Sequence, residues 1–314
     1  MKLFRKQAKV YLRRVKSATR FLFRHYALVV MIVMTSLTLF LYPRSRPKPA
    51  VQLPASTDSK FSFPTPTPDP TPVSKNIPLP AVSAEHFMIL DRDSKQVMYQ
   101  KDADDPVPPA STTKIMTALV ALDSFPLTRE ITVNTSYSDG QVIGFKPGEI
   151  LTVEQLLYAL LVQSGNDAAE ILAENFPGGR PEFISAMNAK AANLRLTHTA
   201  FTNPTGLDEE GHFSSAADLA RLADVAMDNS EFARIVGTEN AVLPGNHVLT
   251  NLNQLLGKVP GVLGIKTGFT DNAGQALVTL VNRGHTIILV VLKSTDRFSD
   301  TQKLIDWSYS NFSW

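Results

Sequence analysis

Eleven of the chain's 21 prolines fall between Pro43 and Pro80, and they divide the molecule before any other feature is considered. Proline fixes φ and has no N–H, so such a run enters neither a helix interior nor a central strand. The segment Phe63-Pro64-Thr65-Pro66-Thr67-Pro68-Asp69-Pro70-Thr71-Pro72 reads as an extended, semi-rigid spacer. Mostly extended, 43–80 reaches on the order of 100 Å at ~3 Å per residue. A compact core has to come from residues 81–314, and the residues ahead of the spacer need a separate reading.

Those leading residues are set apart by charge. Residues 1–48 hold 12 of the 31 Lys and Arg and none of the 29 Asp and Glu, which leaves 19 basic against 29 acidic side chains beyond them. The net charge of +2 therefore describes the N-terminal segment rather than the folded part. A basic protein can bind nucleic acid, but here the basic block abuts an apolar run and the rest is acidic, so no nucleic-acid partner is expected. The run Ala27–Tyr42 carries no charge. It is slightly shorter than the roughly 20 residues that cross a bilayer; Phe21, Leu22, Phe23 and Tyr26 extend it, with Arg24 snorkelling. Leu39-Phe40-Leu41-Tyr42-Pro43 lacks a small-residue cleavage site. The expected layout is a basic cytoplasmic segment (1–26), an uncleaved transmembrane anchor (27–42), the Pro-rich linker (43–80) and an extracytoplasmic domain (81–314).

There is no cysteine, which removes disulfides, thiolate metal sites and a Cys nucleophile. The six His show no HExxH or other close pair at ligand spacing, so neither a metal nor a cofactor is expected.

Within 81–314 the periodicity predicts strands at His86–Leu90 and Gln96–Gln100, with turn chemistry at Asp91–Lys95. Apolar spacing near 3.6 predicts helices at Ser111–Leu122, Thr152–Val162, Asp167–Asn175, Pro181–Leu194, Ser214–Asp228 and Arg297–Asn311. Gln275–Val281 and Thr286–Lys293 read as strands, and Gly261–Ile265 as the start of one. Strands at both ends with helices between predict an α+β fold: one antiparallel sheet built from both chain ends, with a helical subdomain.

Three short segments carry chemistry. Ser111-Thr112-Thr113-Lys114 at a helix start places a hydroxyl beside an amine, because residues three apart share a helix face. Alone, such a pair reads more simply as a cap and a solvated lysine, yet this helix is otherwise apolar. Ser164-Gly165-Asn166 follows a helix and alone reads as a C-terminal turn. Lys266-Thr267-Gly268 follows a strand start, and Gly268 lets another backbone approach closely. In this order the three match the S-x-x-K, S-x-N and K-T-G set of penicillin-binding proteins and β-lactamases. The longer wording resembles the low-molecular-mass D-alanyl-D-alanine carboxypeptidases: Pro108 to Leu119, Ser164-Gly165-Asn166-Asp167-Ala168-Ala169, Phe201 to Leu207, Ser215 to Ala220, and Gly264-Ile265-Lys266-Thr267-Gly268-Phe269-Thr270. The resemblance runs from about Ala84 to Trp307. Many members of that family carry a signal peptide and a second, β-rich domain with a C-terminal anchor. This chain stops shortly after the third segment, so the expectation is that the N-terminal helix replaces that anchor.

The resemblance implies a β-lactamase-like fold and a serine peptidase acting on peptidoglycan stem peptides ending in D-Ala-D-Ala, with β-lactams as acylating inhibitors. It assigns Ser111 as nucleophile, Lys114 as its base and Ser164 as a proton relay. Asn166 is expected to hold the substrate amide. Lys266, Thr267 and Gly268 would pair with the substrate backbone and face its carboxylate, assisted by Arg297. The backbone N–H groups of Ser111 and Phe269 would hold the oxyanion. His212 is read as structural. The alternatives are a β-lactamase, for which no deacylating Glu stands out between the second and third segments; an endopeptidase using the same residues; and a non-catalytic wall-binding or β-lactam-sensing domain.

Overall fold

The computed structural model describes residues 70–314. Five strands, β1 (His86–Asp91), β2 (Val97–Lys101), β3 (Val262–Thr270), β4 (Gly274–Asn282) and β5 (Thr286–Ser294), form an antiparallel sheet in the order β2-β1-β5-β4-β3. Both chain ends meet at its centre, where Ile89 of β1 stands opposite Leu289 of β5. The middle of the chain supplies α1 (Lys114–Ser124), α2 (Val153–Leu161), α3 (Asn166–Glu174), α4 (Arg180–Asn193), α5 (Ala216–Ala226) and α6 (Ser230–Val236), and α7 (Arg297–Asn311) closes the fold.

The unbroken apolar run of β5 follows from burial on both faces. Side chains alternate across a strand: Ile288, Val290 and Leu292 join a core with Met116, Leu156 and Leu219 of the helices. Ile287, Leu289 and Val291 join Leu304, Ile305 and Trp307 of α7 on the opposite face. α2 and α5 start one and two residues inside their expected spans because polar caps occupy the positions ahead of them. Thr152 accepts from Gln155 N while the Gln155 side chain returns to Thr152 N, a capping box, and Ser215 accepts from Asp218 N.

The folded part starts upstream of Ala81. Val73–Ser74 pairs with Phe312–Ser313, and the Trp307 indole donates to Ile77 O at 3.0 Å. Proline composition hid this, because a two-residue edge pairing needs few backbone donors and tolerates Pro72, Pro78 and Pro80 around it. Also unread in the sequence were α6 and two short pairings, Glu130–Thr132 with Ile150–Thr152 and Asn240–Leu243 with His247–Thr250. The basic segment and the apolar run 27–42 lie outside the described residues. Among the described residues no helix is long and apolar enough to cross a membrane.

Candidate active site

Ser111 sits on a single 3-10 turn, Ala110–Thr113, that leads into α1, rather than at the start of an α-helix. Pro108 and Pro109 exclude helix before it, and Ala110 adopts φ +48°. In 3-10 geometry residues three apart eclipse one another, which brings the Lys114 Nζ within 3.0 Å of the Ser111 Oγ.

Lys114 is wholly buried. Its amine also donates to Asn166 Oδ1 and to Thr205 O, both at 2.6 Å. Burial holds its pKa well below the ordinary lysine value, and the Lys266 cation pushes in the same direction; Asp167 and Glu170 oppose them. The solvated lysine that a lone S-x-x-K would suggest is thereby excluded.

Lys266 comes from β3, the sheet's edge strand. It too is buried, and its amine makes one hydrogen bond, to Thr267 O at 3.1 Å. Burial first, and then the Arg297 guanidinium, push its pKa down to about 7. Arg297 donates to Gly268 O at 2.7 Å from the start of α7, so it reaches the third segment. Its Nε is buried without a partner. Among the described residues neither cation has a carboxylate partner. Unpaired buried charge is costly, and the geometry suits a ligand that brings an anion.

Gly268 is needed for close approach. A Cβ there would stand 3.1 Å from Pro109 O and 3.2 Å from Ser111 N, so β3 presses directly on the nucleophile turn. Thr267 is buried beside it, and Phe269 next along the edge is 58% exposed.

In the second segment the Asn166 amide is engaged at both ends: Oδ1 receives Lys114, and Nδ2 donates to Asp139 O at 2.8 Å. Asn166 therefore orients the amine, while the second N–H of its Nδ2 has no partner among the described residues. Ser164 is buried with φ +64°. Its position beside Asn166 keeps it at the site, but no hydrogen bond joins its hydroxyl to either lysine among the described residues. A cleft of about 230 Å³ lined by Tyr137, Asp139, Asn166, Glu170, Thr205 and Leu207 opens alongside.

Three participants were not read from the sequence. Thr205 and Asp139 act through backbone carbonyls. Asp167 collects the N–H groups of Ile143 (2.9 Å), Gly144 (2.8 Å) and Ala168 (2.9 Å), and so ties the loop before Phe145 to the start of α3. The turn chemistry of Asn203-Pro204-Thr205-Gly206 was the one available signal for the first of them.

His212 is structural, as read. Its Nδ1 accepts from Thr202 N at 3.1 Å, which leaves Nε2–H to donate to Thr113 Oγ1 at 2.8 Å and brace the nucleophile turn. Burial pushes its pKa down to about 4. The unfolded chain takes up that proton near pH 6.5, so the stability due to the neutral ring is complete above that pH and is lost as pH falls toward 4. The expected loss is about 3 kcal/mol. Urea unfolding at neutral and acid pH checks this, since His212→Gln should flatten that part of the profile; an unchanged profile counts against it.

Sheet topology, helical subdomain and the Ser111–Lys114 pair against Lys266 define the class of penicillin-recognising serine acyl-transfer enzymes. Residues 72–296 match the family model described as D-alanyl-D-alanine carboxypeptidase, peptidase family S11, and the chain belongs to that family. Similar proteins include the D-alanyl-D-alanine carboxypeptidase DacF of Bacillus subtilis, 36% identical over 74% of this chain and 64% of its own length. DacB2 of Mycobacterium tuberculosis is 35% identical over 75% of this chain and 85% of its own. The chain thus spans slightly under two thirds of the length of the Bacillus relative. Among solved structures, the Streptomyces K15 DD-transpeptidase superposes with a TM-score of 0.70 at 32% identity, over 74% of this chain and all of its own. A D-alanyl-D-alanine carboxypeptidase from M. tuberculosis gives 0.72 at 34% identity, over 76% and 95%.

Proposed function

We propose that this chain is a serine-type D-alanyl-D-alanine carboxypeptidase that removes the terminal D-alanine of peptidoglycan stem peptides through an acyl-enzyme on Ser111. The observation that carries this reading is the buried Lys266 on the edge strand that presses against Ser111, joined there by the partly buried Arg297 from α7, with no carboxylate partner to either among the described residues. A peptide laid along β3 in β fashion delivers its terminal carboxylate to them and its last peptide carbonyl to Ser111.

In acylation the Ser111 proton passes to the lone pair of neutral Lys114 as Oγ bonds to the carbonyl carbon. The C=O π pair moves to oxygen, which the backbone N–H groups of Ser111 and Phe269 would stabilise. The tetrahedral intermediate expels D-alanine once its nitrogen takes a proton, returned from Lys114 through the Ser164 hydroxyl. Water then attacks the ester, with Lys114 again as base, and frees Ser111. Penicillins present a carbonyl and a carboxylate in the same relation and acylate Ser111 in a long-lived adduct.

Lys266→Met should weaken substrate binding and move the acid limb of acylation to higher pH. Without the neighbouring cation the Lys114 pKa rises, so more alkali is needed to hold the amine neutral. The effect is largest below about pH 7, where Lys266 is charged. A limb that stays in place or moves to lower pH contradicts the coupling.

We further propose that residues 27–42 anchor the chain in the membrane and 43–72, ahead of the Val73–Ser74 pairing, hold the domain away from it on the outer side. The positive charge crowded before the apolar run supports this. Protease protection of a C-terminal tag in spheroplasts tests the orientation: a protected tag overturns it. The peptidase reading is tested by incubating the protein with a pentapeptide ending in D-Ala-D-Ala and with cross-linked dimers. D-alanine from the monomer is expected, while cleavage of the dimer alone supports an endopeptidase. Rapid continuous nitrocefin turnover instead supports a β-lactamase.

A further inference from the structure

Neutral Lys114 has two N–H bonds and one lone pair. Two of its three hydrogen-bond neighbours, Asn166 Oδ1 and Thr205 O, can only accept. If both N–H bonds are spent on them, the lone pair is left facing the third neighbour, Ser111 Oγ. The direction of the base therefore depends on what holds the Thr205 carbonyl in place.

That group is Asn203, which is 3% exposed. Its Oδ1 accepts from Gly206 N (2.8 Å), Thr205 Oγ1 (3.0 Å) and Thr205 N (3.2 Å). Its Nδ2 donates to Glu209 Oε2 (2.9 Å) and Leu207 O (3.0 Å). The loop is also held from outside. Thr117 of α1 donates to Pro204 O at 2.6 Å, and at Gly206, with φ +87°, a Cβ would fall 1.9 Å from Ala110 O. The Asn203 loop and the Ser111 turn are thus in backbone contact.

We infer that Asn203 is a positioning residue for acylation: by fixing the Thr205 carbonyl it aims the Lys114 lone pair at the Ser111 hydroxyl. This rests on Lys114 being the base for Ser111. The charges that face Lys114 are Lys266 from β3 and Asp167 and Glu170 from α3. The charged group that Asn203 touches is Glu209.

The test follows covalent labelling of the full chain by a fluorescent penicillin against concentration, from about pH 5 to about pH 9. Asn203→Ala is expected to lower the limiting acylation rate by about tenfold or more, because a misdirected base loses part of its contribution, with the half-saturating concentration unchanged. Asn203→Asp keeps the acceptor oxygen for the Gly206 and Thr205 N–H groups but sets its second oxygen against Glu209. It should recover part of the rate.

An Asn203→Ala protein that melts with the wild type and acylates at its rate overturns the inference. So does a rise in half-saturating concentration at an intact limiting rate in both variants. Should the alanine variant not fold, Asn203→Ser, whose shorter side chain withdraws the acceptor from the loop, takes its place, and a wild-type acylation rate there overturns it alone. If the wild type shows no Ser111-dependent labelling, it is the assignment of Ser111 and Lys114 that fails.

Discussion

Replacing Ser111 with alanine is expected to abolish penicillin labelling and to lower D-alanine release by about 10⁴-fold or more, the scale seen when a nucleophile is deleted and only binding and oxyanion stabilisation remain. The fold should survive. The Ser111 hydroxyl makes one hydrogen bond, to Lys114, and the turn is held by other contacts: His212 on Thr113, Pro109 O receiving Thr112 Oγ1 at 2.6 Å, and the glycines packed against Ala110. Its thermal midpoint should stay within a few degrees of the wild type, on the order of 1 kcal/mol for one hydrogen bond. The penicillin signal and the melting curve are measured on the same preparation. Labelling that persists in a folded Ser111→Ala protein removes Ser111 as the nucleophile.

The second large effect belongs to Lys114. Lys114→Met keeps an unbranched chain of similar reach in a buried site and removes the amine that meets Ser111 Oγ at 3.0 Å. Acylation should fall by about 10² to 10⁴, the usual contribution of a positioned base. Two changes in stability oppose each other. Asn166 Oδ1 and Thr205 O lose their donor, while the desolvated amine no longer has to be buried. The protein is therefore expected to fold. The pH profile is the sharper readout. Wild-type acylation should rise with pH as Lys114 loses its proton, and the residual rate of Lys114→Met should lack that limb. A limb preserved in the variant assigns the titration to another group.

These effects mark which parts of the site the sequence could disclose. Ser111, Lys114, Ser164, Asn166 and the Lys266-Thr267-Gly268 strand were readable because each contributes a side chain, or the lack of one, at a recognisable spacing. Thr205 and Asp139 were not, because a carbonyl oxygen looks the same at every residue. Their role arises from where two loops are folded. The sequence could only require a lowered Lys114 pKa, and the structure supplies burial and the Lys266 cation as causes that lower it. Asn166 shows the converse limit. Its presence was legible, but that its Oδ1 receives the Lys114 amine depended on which groups the fold set beside it.

The fold divides in the same way. Helices with strong apolar periodicity and the β4–β5 pair were legible, since their burial patterns repeat over many residues. The edge formed by Val73–Ser74 and Phe312–Ser313 was not, because two-residue strands have no period. The hairpin Asn240–Leu243 with His247–Thr250 did carry a turn signal in Pro244-Gly245-Asn246. However, its strands are short and expose Val242 and Val248, so the alternation was weak.

The central claim is that Ser111 carries the acyl group during turnover of a D-Ala-D-Ala peptide. The most direct measurement is mass spectrometry of the full chain, acid-quenched while it turns over a stem pentapeptide, followed by peptide mapping. The account predicts an adduct equal to the peptide less its terminal D-alanine, confined to the fragment that contains Ser111 and absent from Ser111→Ala. Release of D-alanine with the adduct on another residue, or undiminished release by Ser111→Ala, would contradict it.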